Sequence, residues 1–568
     1  MRYDSPARNE AAKENGMETL GLTDIIGPVM VGPSSSHTAG ALRIASMARS
    51  LCLAEPVRAE FSLLGSFAHT LSGHGTDKAL VAGMLGFAAD DLRIRDSFAL
   101  AEQAGLSFSF APLPDATDYE HPNTIDIRVI DAAGNEMAVR GESVGGGAAV
   151  IRRIDGIDVR ITGESTSVVV RQRDEAGVLA HIAACISERG VNIATTRLYR
   201  ERKGAVAYTV LETDEGVGPE AKAAIEAHPA ILDVRVIPGD ARGAAGAGDA
   251  RGAEPAGGGQ QTEAADAAGA LERFRELDFP NAAALLAWCE AHGATLSEAF
   301  LEREAALAAS LGRTDGTRAY LAGALDVMRR SAQRPREEAL PSMGGLIGGE
   351  ARKLAALDAR GGSACDAQLS DAVAFSMAVL ETNASMGRIV AAPTAGSAGV
   401  IPGVLLALQR SHGLSDDDLV RGLAAAAAVG YLVTRNATVS GAEGGCQAEV
   451  GSAAGMAAAA VVELLGGSAE QCLDAAGNAL MSLMGLVCDP VAGLVEVPCQ
   501  KRNAAGAAVA LASAQIALAG IGNLVDFDQT VEALYAVGRS LPFELRESAL
   551  GGIAAAPSAR AWCPGCAR

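Results

Sequence analysis

The chain has 568 residues, enough for roughly three domains. Its formal charge of −21 excludes the basic footprint that nucleic acid requires and suits a soluble protein that avoids anionic surfaces. Aromatic residues make up only 4% of it, so the cores must be built from Ala, Val, Leu and Ile in close contact. Residues 1–17 are polar and mixed in charge, with no apolar stretch of the kind a secretory leader needs. Ten cysteines without such a leader point to a reducing cytoplasm and to metal-binding or catalytic thiols, not to a disulfide framework.

Residues 18–163 read as a mixed α/β domain. Strands are predicted over 58–63, 126–130 and 136–140, and helices over 39–52 and 76–85. Gly32-Pro33-Ser34-Ser35-Ser36-His37-Thr38-Ala39-Gly40 precedes the first helix. Hydroxyls and free backbone N–H groups at a helix start suit a carboxylate or phosphate, although an ordinary N-cap with spare serines has the same look. His69 and His74 flank Ser72-Gly73, which predicts a loop, and His121 heads His-Pro-Asn-Thr, a turn. With His37, half of the eight histidines thus fall in loops of this domain. A single loop histidine is ordinarily just solvated. Four beside an anion-binding turn suggest an active-site wall for proton transfer or carboxylate binding.

Residues 166–238 show strand alternation, a helical stretch, two strands, a second helix and a last strand. The order βαββαβ predicts a ferredoxin-like domain. Asp174-Glu175-Ala176-Gly177-Val178-Leu179, followed by Gly190-Val191-Asn192-Ile193, resembles the ACT domain, a regulatory module that binds amino acids. A plain ferredoxin-like dimerisation unit is the alternative. Residues 239–270 hold no aliphatic side chain larger than alanine and predict a flexible linker.

Residues 271–568 are predicted to be helical throughout, with glycine-rich turns. The uncharged run 503–525 is long enough for a membrane span. Its alanines, with Gly506, Ser513, Gln515, Gly520 and Gly522, predict a buried bundle helix instead. The turn from Ser342 to Glu350 leads to Lys353 but lacks the Gly-Lys-Ser/Thr ending of a phosphate loop. Thr382-Asn383-Ala384-Ser385 and Pro393-Thr394-Ala395-Gly396-Ser397 carry amides, hydroxyls and small residues that admit a ligand to the backbone, or serve as tight inter-helix turns. Cys52, Cys185, Cys289, Cys365 and Cys472 lie in apolar or helical settings and read as small core residues. Cys446, Cys488 and Cys499 differ, being set among Gly, Pro and Ala with no Cys-x-x-Cys pair. Three thiolates can hold an iron–sulfur cluster and leave one iron without a protein ligand, a Lewis acid for substrate chemistry. Lys501 and Arg502 follow directly and bring positive charge.

The chain resembles the bacterial iron–sulfur L-serine dehydratases (L-serine ammonia-lyases). The resemblance rests on Gly-Pro-Ser-Ser-Ser-His-Thr-Ala-Gly, Ser-Gly-His-Gly-Thr-Asp-Lys-Ala, His-Pro-Asn-Thr, Ala-Pro-Thr-Ala-Gly-Ser, Ala-Glu-Gly-Gly-Cys-Gln-Ala-Glu-Val-Gly and Cys-Asp-Pro-Val-Ala-Gly-Leu-Val-Glu-Val-Pro-Cys, and it spans residues 20 to about 555 outside the linker. It implies an α+β multidomain protein: a mixed α/β β domain (18–163), an ACT-like regulatory domain (166–238), a linker (239–270) and an all-helical α domain (271–568). It implies conversion of L-serine to pyruvate and ammonia in amino-acid catabolism and gluconeogenesis. A [4Fe–4S] cluster would sit on Cys446, Cys488 and Cys499. His69, His74 and Ser36 become candidates for catalysis. Ser34, Ser35, His37, Asn383, Ser385, Thr394, Ser397 and Arg502 become candidates for substrate binding. A cytoplasmic homodimer with an amino-acid effector at the ACT-like domain, and no nucleic-acid or membrane partner, completes the expectation. Some relatives end in a cysteine that caps the open iron. Cys566 or Cys563 in the tail is the candidate here. Two other readings are a pyridoxal-phosphate dehydratase, for which Lys353 is the one suitable lysine, and an amino-acid sensor, for which a basic DNA-binding helix is missing.

Overall fold

The computed structural model describes residues 19–71, 73–114, 116–239 and 264–562, with only the backbone at 264–268. These fall into two compact units. One spans 36–239; the other combines 19–35 with 264–562. Residues 19–35 include a short strand, β1 (Val29–Val31).

The first unit is mixed. Its larger sheet is built from β2 (Pro56–Leu64), β3 (Ser107–Leu113), β4 (Thr124–Asp131), β5 (Glu136–Gly145), β6 (Ala148–Ile154) and β7 (Ile157–Ile161), in the order β3-β2-β4-β5-β6-β7. Only β2 and β3 run parallel. Their crossover carries α2 (Gly65–Thr70), α3 (Thr76–Met84) and α4 (Ser97–Gln103). Before them, α1 (Ala41–Ser50) continues a wide helical turn, Ser35–Gly40. Two glycines set the packing of α1. A Cβ at Gly83 would lie 2.4 Å from the Leu42 carbonyl oxygen, and one at Gly141 would lie 2.3 Å from Ile44. The expected strands are present, and β3, β6 and β7 are additional. His69 is not in a loop but in the last turn of α2, because the helix runs on to Thr70 before the chain turns.

The smaller sheet consists of β8 (Thr166–Arg173), β9 (Ile193–Arg200), β10 (Val206–Thr213) and β11 (Ile231–Ile237), with α5 (Val178–Ser187) and α6 (Pro219–Glu226) between them. The antiparallel order β11-β8-β10-β9 is the ferredoxin-like arrangement that the element order predicts. Val168, Val170, Leu211 and Val234 face Val178, Ile182, Ile186 and Ile225 of the helices. The opposite face is covered too. Buried Arg235 pairs with Asp233 at 2.8 Å, and Tyr208 donates to Asp155 at 2.9 Å. Charges so deeply placed persist only when paired.

The second unit is a helical assembly: α7 (Ala264–Leu277), α8 (Ala282–His292), α9 (Leu296–Ser310), α10 (Thr317–Glu337), α11 (Glu350–Ala359), α12 (Ala367–Ala384), α13 (Val400–His412), α14 (Asp416–Asn436), α15 (Ser452–Leu464), α16 (Ala469–Leu483), α17 (Cys499–Leu518), α18 (Phe527–Ser540) and α19 (Pro557–Trp562). The segment read as linker gives way to α7 at Ala264, because its alanine-rich end has high helix propensity. The uncharged run lies largely in α17, and no described helix is long and apolar enough to cross a membrane. Small residues bring helices close: a Cβ at Gly403 would lie 2.0 Å from the Ser376 hydroxyl, and one at Gly399 2.4 Å from its carbonyl oxygen. Ala424 to Ala428 are fully buried.

Residues 19–35 are built into this helical unit. β1 pairs antiparallel with β12 (Arg388–Val390). Leu22 N–H donates to Glu304 at 2.9 Å, Arg303 to the Leu20 carbonyl at 2.7 Å and Tyr320 to the Ile26 carbonyl at 2.7 Å. Ile25, Ile26 and Met30 are fully buried.

Candidate active site

Three different local structures deliver the three thiols. Cys446 follows a single helical turn, Gly441–Gly444, and a glycine at φ 75°, then opens the wide turn Gln447–Gly451 that leads into α15. Cys488 lies in an extended loop stitched on both sides, its N–H to the Leu545 carbonyl and its carbonyl to the Glu547 N–H, each at 2.9 Å. Cys499 is the first residue of α17. All three are buried. Cys446 and Cys488 share the carboxylate of Glu449, at 3.9 and 3.8 Å from their sulfurs. Arg502 reaches Cys446 Sγ at 3.8 Å, the Val487 carbonyl at 2.7 Å and Asp489 at 2.7 Å.

Burial dominates the electrostatics here. It pushes the Cys499 thiol and the Glu449 and Glu547 carboxyls up. Cys488 is pushed up by its hydrogen bond with Cys446 and then by burial. The donor set fits an anionic iron–sulfur cluster: soft sulfur ligands, no solvent and one adjacent guanidinium. Gly441 forms part of the cradle, since a Cβ there would lie 2.6 Å from Glu449 and 3.4 Å from Cys488 Sγ.

The expected substrate-side residues of this unit hold a shell together. Thr394 donates to Glu449 at 2.8 Å, and the Ser397 hydroxyl lies 3.2 Å from that of Thr394. Asn383 donates to the Ala395 carbonyl at 2.8 Å, while its own carbonyl oxygen is buried without a hydrogen-bond partner. Ser385 caps α12 by donating to Thr382, outside this hydroxyl cluster. Lys501 points to solvent, whereas Arg502 turns inward. The glycine-rich turn after Ser342 wraps carboxylates of its own unit: Glu496 accepts from Gly344 and Leu346, and Glu381 from Gly349 and Ala351. Lys353 is 75% exposed and paired with Glu350, a poor setting for a cofactor-bearing lysine. Among the other cysteines, Cys289 is buried and its thiol pushed up to about 12. Cys365 is exposed, contrary to its expected place in the core, because it lies just ahead of the α12 N-cap, Asp366. Cys563 and Cys566 lie outside the described residues.

The mixed unit holds a second polar centre. The division between the units falls inside the serine-rich motif, after Ser35. Ser34, Ser35, Ser36 and His37 are all buried. His37 is held at both ring nitrogens: Nδ1 lies 2.9 Å from the Ser36 hydroxyl and Nε2 2.9 Å from that of Ser66. Phe67 meets the ring edge-on at 5.1 Å, and the His74 ring lies 4.6 Å away. Thr38 donates to the His74 carbonyl, and Ser143 to that of Ser36. Burial lowers both imidazoles, His74 to about 3, so both are neutral bases at physiological pH. His69 is half-buried at the end of α2, and His121 accepts from the Asn123 N–H.

Sequence reasoning passed over Ser66, Glu449, Asp489, Asn503 and Glu547. Glu449 and Asp489 stood inside quoted motifs. Asn503 follows Cys499 by one helical turn; it donates to the Cys499 and Gly396 carbonyls and accepts from Gly399, tying the α17 start to the 394–399 turn.

A thiol–carboxylate centre in an all-helical unit and a serine–histidine centre in an α/β unit, carried by one chain, define a two-part enzyme architecture. Comparison with known proteins gives it a family. Residues 23–153 match the model of the serine dehydratase beta chain, and residues 291–554 that of the serine dehydratase alpha chain. The chain belongs to the L-serine dehydratase family, with the beta-chain and alpha-chain regions fused in a single polypeptide. It is 49% identical over 236 residues to the probable L-serine dehydratase alpha chain of Bacillus subtilis, covering 42% of this chain and 78% of the relative. It is 40% identical over 202 residues to the L-serine dehydratase beta chain of Peptoniphilus asaccharolyticus, covering 36% of this chain and 90% of the relative. An L-serine dehydratase of Streptomyces coelicolor is 46% identical over 182 residues, 32% of this chain and 40% of the relative.

Proposed function

We propose that this protein is an iron–sulfur L-serine ammonia-lyase, converting L-serine to pyruvate and ammonia. The observation that carries the reading is the gathering of buried Cys446 and Cys488 with buried Cys499 and the inward Arg502, in a chain whose relatives are named L-serine dehydratases. Cys446, Cys488 and Cys499 would hold a [4Fe–4S] cluster, which when bound supplies an iron without a protein ligand, a Lewis acid for the serine carboxylate and hydroxyl.

The chain's own residues do the rest. Arg502 faces the thiols and is engaged by Asp489 and Val487, so it offsets negative charge there and is withdrawn from binding the substrate carboxylate. Thr394 orients Glu449, and Asn503 fixes the turn that carries Thr394 and Ser397. The free carbonyl oxygen of Asn383 is an acceptor suited to the serine ammonium. In the mixed unit, His37 is neutral and oriented by Ser36 and Ser66, and with His74, His69 and Ser36 it forms the proton-handling set. In the helical unit, Ser34 and Ser35 offer hydroxyls for a carboxylate. Loss of the Cα proton and of the β-hydroxyl as water gives 2-aminoacrylate. This tautomerises to the imine, which takes up water and releases ammonia and pyruvate. The ferredoxin-like domain is read as an ACT-type regulatory module for an amino acid, and the enzyme as a cytoplasmic homodimer.

Anaerobic purification with iron and sulfide analysis, followed by pyruvate assays on L-serine, D-serine and L-threonine, tests the reading. About four irons and four sulfides per chain are expected, with activity on L-serine. A colourless, iron-free and fully active protein would overturn it.

A further inference from the structure

β7 and β9 are edge strands of the two sheets of the mixed unit, and they lie against each other. Strand alternation places Thr195, Arg197 and Tyr199 on one face of β9, and the register sets Val210 and Glu212 of β10 beside them. Across from this face is Arg160 on β7. Its Nε and Nη2 are shut off from water and have no hydrogen-bond partner.

The groups that act on the Arg160 guanidinium are Arg197 and Arg152, which repel it, and Tyr199 and Glu212, which oppose them weakly; burial and the two arginines hold it below its ordinary range. The nearby carboxylates are already engaged. Glu142 pairs with Arg152 at 2.6 Å, and Glu212 accepts from Thr195 at 2.6 Å. Arg160 and Arg197 form no ion pair among the described residues. In a chain of net charge −21, a guanidinium with two buried N–H groups left without a partner, on a strand that lies against the one carrying Arg197, calls for a missing anion. A water molecule would satisfy the orphaned N–H groups but leave the repulsion in place.

We propose that Arg160 and Arg197, with Arg152 and Tyr199 beside them, bind a small oxyanion, a carboxylate or a phosphate, between β7 and β9. Planar guanidinium groups suit both chemistries through paired N–H donors. The anion would cancel the repulsion and fasten the ferredoxin-like domain to the larger sheet along their edges. This places a ligand within one chain, on the sheet side of the ferredoxin-like domain and away from its helices.

Titration calorimetry on the full-length protein with inorganic phosphate and, separately, L-alanine tests the site. L-alanine has a carboxylate but no hydroxyl to eliminate, so it is not consumed, and its binding counts toward this site only where Arg160→Gln or Arg197→Gln weakens it. Saturable binding of one probe is expected, and the probe that binds identifies the class. Arg160→Gln and Arg197→Gln should each weaken it roughly tenfold or more, the loss expected for a charge-assisted hydrogen bond. Arg128→Gln, whose side chain pairs with Glu136 and Glu60, should leave it unchanged. In anion-free, low-salt buffer Arg197→Gln should melt higher than the wild type, because repulsion is relieved, and the order should reverse at saturating anion. Absence of saturable binding by both probes overturns the proposal. So does binding that survives both substitutions, or an Arg197→Gln protein that melts lower without anion.

Discussion

The thiol centre of the helical unit and the imidazole centre of the mixed unit are both dry, and dryness loads them with protons in opposite ways. Around Cys488, Cys499, Glu449 and Glu547, burial favours the protonated forms, so that centre carries protons which a bound cation would displace. Around His37 and His74, burial favours the unprotonated forms, so that centre offers acceptors. The charge partners differ accordingly. Arg502 stands beside the thiols, whereas the ring nitrogens of His37 face hydroxyls. One physical cause, desolvation, thus favours bound protons in one region and proton acceptors in the other.

The most severe way to break this comparison is to remove a thiol. Cys446→Ser, Cys488→Ser and Cys499→Ser should each abolish pyruvate formation and visible iron–sulfur absorption while leaving far-UV circular dichroism unchanged. Full iron content in any one of them would remove that thiol from the set. Arg502→Met comes next. Loss of a group supporting the metal ligands typically costs roughly 10–100-fold in metal affinity, to be read as iron retained after a timed chelator challenge; retention equal to wild type would show that its charge is idle.

The imidazole side is probed by acid. His74 sits at about 3 in the folded protein against an ordinary value near 6.5, so the unfolded chain binds more protons between those values. Stability from this group is complete above about pH 6.5 and is lost as pH falls through it. Melting temperature measured from pH 8 to pH 5 should fall, and His74→Phe should flatten the fall; an unchanged slope in that variant would exclude His74 as its source. The smallest expected effect is that of Ser66→Ala, which removes the hydroxyl at His37 Nε2 and should cost about 1 kcal/mol in urea unfolding. A change of stability well under that figure would mean that the bond does not hold the ring.

Legibility in the sequence followed the range of the forces involved. The ferredoxin-like element order could be read because each element carries its own period, and α6 and β11 begin and end where the alternation does. β1 and β12 could not, being three residues each and paired across more than half of the chain. His69 was misplaced because a short helix before Ser72-Gly73 leaves no periodic signal. Glu449 and Asp489 stand inside the motifs but have the look of ordinary surface acids; the contacts of Glu449 with both sulfurs, and the burial of Asp489 beside Arg502, made them part of the thiol centre. The linker reading overran into α7 because a run of alanines lacks a core pattern yet still favours a helix.

By itself the sequence determined which thiols stand apart, the family motifs, the acidic net charge and the order of the ferredoxin-like elements, all of which are local or compositional properties. Tertiary structure alone decided that residues 19–35 belong with the helices, that Arg502 turns inward while Lys501 does not, and that Arg160 buries two N–H groups without a hydrogen-bond partner. The reason is physical: solvent exclusion and charge pairing depend on what lies nearby in space, and residues far apart in the chain supply most of it.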